Sequence, residues 1–195
     1  VEQACRGYRF DVNDDWSLGG IFRDVWLESM PLKRSISVPT VTTDFDRNYR
    51  NAVLTVKTIV SDTHKSRVAG NFPSFSGDFG LRYTLKDAEG KVVFTEDQTV
   101  AGQDATDKEV VWSVKVSKPR QWNAEQPYLY SLSVALIENG EVAHERTQKI
   151  GFREISTEGG VFRVNGVAVK LRGVNRHDEH PDVGRATRRE HWLQD

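Results

Sequence analysis

The run Asn175-Arg176-His177-Asp178-Glu179-His180 packs donors, acceptors and titratable groups into a few positions, which is the composition of a site. His177 and His180, three apart with two carboxylates between them, raise the question of a metal. The order is not the His-Glu-x-x-His of a helical zinc site, and on an extended segment the two rings need not share a face, so no metal ligand set is read here. Asp178 and Glu179 are no better as a catalytic pair, because neighbouring residues on an extended chain point in opposite directions. What remains is His177 itself, either a hydrogen-bonding group turned toward a ligand or a histidine satisfied by a backbone carbonyl.

Immediately upstream, residues 170–174 form a short apolar stretch that switches abruptly to the polar cluster after Gly173. Such a switch at a strand's end is how an α/β barrel presents side chains at its catalytic mouth, and a barrel of this kind needs about 250 residues. Fourteen residues follow Pro181. They include Thr187-Arg188-Arg189-Glu190, a capping-box pattern that predicts the start of a helix. Before the switch, two apolar arms flank Asn165-Gly166, a hairpin signal because both residue types tolerate positive φ.

From 33 to 153 the pattern is a series of period-two segments separated by turns, with a second Asn-Gly at Asn139-Gly140. Leu54, Val56, Thr58 and Val60 share one face of a strand; so do Leu81, Tyr83 and Leu85; Val110, Trp112, Val114 and Val116; and Tyr130, Leu132, Val134 and Leu136. Counting from Ile36, about seven strands in some 120 residues predict an immunoglobulin-like β-sandwich, with Trp112 facing its core. Residues 70–80 lack a strand period and read as a loop whose aromatics, Phe72, Phe75 and Phe79, pack rather than bind. Residues 1–31 supply two short apolar segments, the tail of a preceding β-domain.

Composition excludes several classes. A net charge of -1 gives no basic field for nucleic acid or anionic membrane, and no apolar run reaches the length of a membrane span. Cys5 is the one cysteine, so no intrachain disulfide is possible. The chain opens without an initiator Met or signal peptide, so the compartment is not legible.

Four stretches together carry a resemblance. Gly173-Val174-Asn175-Arg176-His177 followed by Pro181, Gly19-Gly20-Ile21-Phe22-Arg23-Asp24-Val25, Gly151-Phe152-Arg153-Glu154-Ile155, and Trp122-Asn123-Ala124-Glu125-Gln126-Pro127-Tyr128-Leu129-Tyr130 are similar to segments of glycoside hydrolase family 2, which includes β-galactosidases and β-glucuronidases. The resemblance implies an all-β piece: the end of a jelly-roll sugar-binding domain (1–32), a whole immunoglobulin-like domain (33–153), and a hairpin leading into the first strand of a TIM barrel (154–195). It implies a parent that is a retaining exo-glycosidase of terminal β-D-galactose, homo-oligomeric, with Mg and Na as ions. Both catalytic glutamates would lie beyond Asp195, so this chain alone is expected to be inactive, with no catalytic residue, metal ligand or cofactor of its own. By the same resemblance His177 binds the substrate sugar, while Arg23 and Asp24 are structural. An aspartate that holds galactose and sodium in bacterial β-galactosidases aligns with Arg6, with Asp11, Asp14 or Asp15 as substitutes across a shifted loop. The alternatives are a β-glucuronidase-type or β-mannosidase-type parent, or a non-catalytic carbohydrate-binding or adhesion sandwich.

Overall fold

The computed structural model describes residues 21, 23–31, 33–62, 77–102 and 107–194. They divide into two compact units, one spanning Met30–Lys170, the other joining Leu171 onward to residues before Met30.

The larger unit contains β1 (Arg34–Ile36), β2 (Thr40–Phe45), β3 (Asn51–Asp62), β4 (Phe79–Lys86), β5 (Val92–Val100), β6 (Asp107–Ser117), β7 (Tyr130–Glu138) and β8 (Glu141–Ile150). Two antiparallel sheets result. In one, β3 is central, with β6 on one edge and both β1 and β2 on the other; the second runs β5-β4-β7-β8. Ile36 pairs with Val60 and Thr40 with Lys57, so β1 and β2 are a single edge strand interrupted at Ser37-Val38-Pro39. Pro39 has no N–H to give a ladder, and an edge strand is where that defect is tolerated. With that break counted, the seven strands expected from periodicity are the eight found, and the all-β sandwich is the fold.

The alternating residues of the sequence meet between the sheets. Leu54, Val56 and Val60 of β3, Leu81, Tyr83 and Leu85 of β4, and Leu132, Val134 and Leu136 of β7 are all buried. Each such aliphatic side chain contributes about 1.5–3 kcal/mol by leaving water. Trp112 faces this core as expected but is half-buried, stacking on Tyr83 from the opposite sheet at 4.1 Å and an interplanar angle of 4°.

Unpaired edges are a liability, and here side chains cover one. Alternate residues of β8 reach the broken edge strand: His144 Nδ1 accepts from the Ile36 amide (2.9 Å), Arg146 Nε donates to the Ile36 carbonyl (3.5 Å) and Gln148 Nε2 donates to the Pro39 carbonyl (2.9 Å). Arg34, almost wholly buried, joins Glu138 (3.1 Å) and the Gly77 carbonyl (2.9 Å), with its guanidinium 5.0 Å from the Phe79 ring centre.

Two expectations change. Phe79 and Gly80 are not loop but the start of β4; Gly80 lies so close to Ile137 that a Cβ would sit 3.2 Å from that side chain. Phe72 and Phe75 lie outside the described residues. The hairpin after residue 153 forms a three-stranded sheet, β9 (Ile155–Glu158), β10 (Val161–Val164) and β11 (Val167–Ala168), within the compact unit Met30–Lys170. Finally, residues 170–174 make no strand. An extended segment becomes a strand only by pairing, and among the described residues nothing pairs with this one; no barrel is closed. The jelly-roll tail expected at 1–32 falls largely outside the described residues.

Candidate functional site

The polar cluster lies in a loop that ends in a short helix, α1 (Arg189–Gln194). His180 and Gly184 exchange two backbone hydrogen bonds (3.0 and 2.8 Å), closing a tight loop around Pro181. Arg176 Nε donates to Asp178 (2.9 Å), and Arg185 Nε stands 3.9 Å from Glu179. The rings of His180 and His191 lie 4.6 Å apart, and each Nδ1 accepts a backbone amide, from Asp182 (3.2 Å) and Arg188 (2.9 Å) respectively. Both histidines are therefore committed to local structure.

His177 differs. It is exposed, its carbonyl accepts from the Glu179 amide (3.0 Å), and among the described residues no hydrogen bond to its imidazole is found. Asp178 and Glu179 are engaged with different arginines, Arg176 and Arg185 respectively. Among the described residues no three His, Cys, Asp or Glu side chains converge as metal ligands would. Arg23 Nη1 donates to the Arg185 carbonyl (3.3 Å). Arg6, Asp11, Asp14 and Asp15 lie outside the described residues.

The helix start shifts by one residue from the sequence pattern. Thr187 Oγ1 accepts from the Trp192 indole (3.3 Å), and the reciprocal half of a capping box is supplied by His191, whose Nδ1 takes the Arg188 amide.

A second set of polar contacts, unseen in the sequence, ties the hairpin to the sandwich. Asn165 in the Asn-Gly turn accepts from the Glu154 amide (2.8 Å) through Oδ1 and donates to the Trp122 carbonyl (3.0 Å) through Nδ2. Glu154 accepts from the Phe45 amide (2.9 Å) and from the Tyr49 hydroxyl (3.5 Å). Burial and the nearby Glu154 carboxylate push the Tyr49 phenol above its ordinary pKa. Tyr49 lies over Gly166, where a Cβ would come within 2.5 Å of its ring; with φ at 75° as well, only glycine fits. Asn-Gly is readable as a turn, but its docking depends on residues over 100 positions away, which no local pattern encodes.

Beside this junction a cleft of about 610 Å³ opens between β2 and the end of β8, lined by Val41, Thr43, Gln148, Ile150 and Arg153 around Trp122. It is no open aromatic platform for a sugar: the Arg153 guanidinium sits 4.7 Å from the Trp122 ring centre, and the ring lies against Gly151.

Comparison with known proteins places these features. Residues 35–153 match the model for Glycosyl hydrolases family 2. A β-galactosidase of Kluyveromyces lactis is 34% identical over 180 residues, covering 89% of this chain and 17% of that protein. Among solved structures, a β-galactosidase of Bacteroides fragilis described as putative superposes with a TM-score of 0.63 at 25% identity, covering 79% of this chain and 22% of the other. A β-glucuronidase of Parabacteroides merdae shares the fold with a TM-score of 0.61 at 21% identity, over 83% and 19%. The chain thus spans about a fifth of each of these three proteins, and the family match covers nearly the whole sandwich. It belongs to family 2 of the glycosyl hydrolases.

Proposed function

We propose that this chain is part of a retaining exo-glycosidase that removes terminal, non-reducing β-D-galactose, and that it contributes mainly the scaffold. The observation that carries the reading is the 34% identity to a β-galactosidase over 89% of the chain. In this reading 1–32 close a jelly-roll domain, 33–153 are the sandwich, and 154–195 lead into a TIM-barrel domain whose two carboxyls, one acid/base and one nucleophile about 5 to 5.5 Å apart, perform the double displacement.

The role left to this chain's own residues is binding. His177 presents an imidazole free of partners among the described residues, at the end of an apolar stretch, and a sugar hydroxyl can take its hydrogen bond. Such a bond accelerates the reaction if it strengthens as the ring flattens toward the oxocarbenium-like transition state. Magnesium or sodium belongs to the whole parent as an implication of the family resemblance, and no step is routed through an ion here. A homo-oligomeric parent is part of the same proposal.

A β-glucuronidase-type parent is the second reading, since the sandwich shares its fold with the Parabacteroides merdae enzyme. Assay of the whole protein against nitrophenyl β-galactoside, β-glucuronide and β-mannoside separates the readings. Preference for the galactoside by at least about tenfold in kcat/KM, some 1.4 kcal/mol of transition-state binding, supports the proposal. Preference for another glycoside, or hydrolysis of none, overturns it.

A further inference from the structure

The chain contains two Asn-Gly pairs in the same backbone conformation and in opposite surroundings. Asn139 and Gly140 have φ of 52° and 83°; Asn165 and Gly166 have φ of 50° and 75°. The first pair caps the β7–β8 hairpin with both residues exposed, and among the described residues no hydrogen bond to the Asn139 amide is found. The second is held at both ends of its amide, with Asn165 only 8% exposed and Tyr49 packed on Gly166.

From this contrast we propose that Asn139 is a site of spontaneous deamidation and isoaspartate formation, and that Asn165 is protected from the same reaction. The Gly140 nitrogen, giving its proton to water, attacks Cγ of Asn139. A C–N bond forms, the bond to the side-chain nitrogen breaks, and ammonia leaves with a proton from water. Water then opens the five-membered imide at either carbonyl, giving aspartate or isoaspartate, with no other reactant needed. Glycine favours the attack because no side chain shields its nitrogen. The side chain must also swing toward the following amide, a movement that an exposed hairpin tip makes at little cost to the core. At Asn165 the same swing breaks two buried hydrogen bonds.

The product matters to the fold. Glu138 and Glu141 pair across the turn, and Glu138 is the partner of buried Arg34. A new carboxylate between two glutamates adds like-charge repulsion, and isoaspartate lengthens by one backbone atom a two-residue turn that sets the register of the strands it joins.

Trypsin separates the two sites, Asn139 on the peptide 121–146 and Asn165 on 164–170. The purified chain is held at mildly alkaline pH, in buffer and in urea, and sampled over days by peptide mapping with tandem mass spectrometry to locate the conversion. In buffer, Asn139 should convert about tenfold faster than Asn165 or more, and in urea the two rates should draw together as the native protection is lost. Equal rates in buffer would overturn the proposal. So would an Asn139 that stays intact in buffer while converting in urea.

Discussion

The side-chain amide of Asn165 donates to the main-chain carbonyl of Trp122 across 43 positions of sequence, so a hairpin turn is fastened to the loop that precedes β7. Its other end takes the Glu154 amide, and Glu154 in turn holds Phe45 and Tyr49. One asparagine thereby joins three segments that have no neighbouring positions in the chain.

Removing that amide should free the hairpin while leaving the sandwich folded. Asn165→Gly keeps the positive φ but strands the Glu154 N–H and the Trp122 carbonyl, at a cost of about 1–3 kcal/mol. Asn165→Ala adds the left-handed backbone penalty of about 1–2 kcal/mol. Amide exchange of residues 155–168 should accelerate in both variants, more in the alanine one, with β3 and β7 still protected. Unchanged exchange in the hairpin would show that Tyr49 on Gly166 suffices to hold it.

Thr58 sits on the core face of β3 at 0% exposure, and among the described residues its Oγ1 has no hydrogen-bond partner. An unpaired buried hydroxyl costs about 1–3 kcal/mol in proteins, and valine has nearly the same shape. Thr58→Val should therefore stabilise the chain by about 1 kcal/mol or more, read as a rise in the urea midpoint at constant slope. A lower midpoint would mean that the hydroxyl is satisfied.

Alkali should destabilise this protein through its buried phenols. Burial pushes the Tyr83 hydroxyl up to about 12 from an ordinary 10, while it donates to Gln98 at 3.1 Å. Below pH 10 the phenol is protonated in both folded and unfolded chains and its contribution is complete. As pH rises from 10 through 12 the unfolded chain releases the proton first, and about 2–3 kcal/mol is lost. Tyr130 is also raised by burial, so Tyr83→Phe should flatten the decline in melting temperature over this window without abolishing it. An equal slope in the variant would place the effect elsewhere.

These cases show what periodicity can and cannot reveal. Leu81, Tyr83 and Leu85 fall on one buried face, as their spacing predicts, because alternation is a local property of a pleated strand. The strand expected at 170–174 has the right composition and fails to form, because pairing is supplied by other strands. Trp112 faces the core as its alternation requires, yet it stays half-buried where Val110 and Val116 on the same face are buried, a difference that depends on what each side chain meets across the sheets and is not written in any single strand. The polar junction of Asn165, Glu154 and Tyr49 is invisible in the sequence for the same reason. His177 stands out through the likeness of its neighbours to a family segment; its residue type alone leaves two readings open.

Those two readings of His177 predict opposite results in the whole enzyme. If the imidazole donates to a sugar hydroxyl in a bond that tightens in the transition state, His177→Ala should lower kcat/KM by about 2 to 4 kcal/mol, or roughly 30-fold to 1000-fold. Its melting temperature should stay near that of the parent, since the ring is exposed and among the described residues no hydrogen bond to it is found. A histidine that only braces the loop would give the reverse, a lower melting temperature with near-normal turnover by the protein that remains folded. The comparison is made on a parent already shown to hydrolyse a galactoside, so a failure of the galactosidase reading cannot be mistaken for a failure of His177. Normal kcat/KM in the variant would remove this residue from the site.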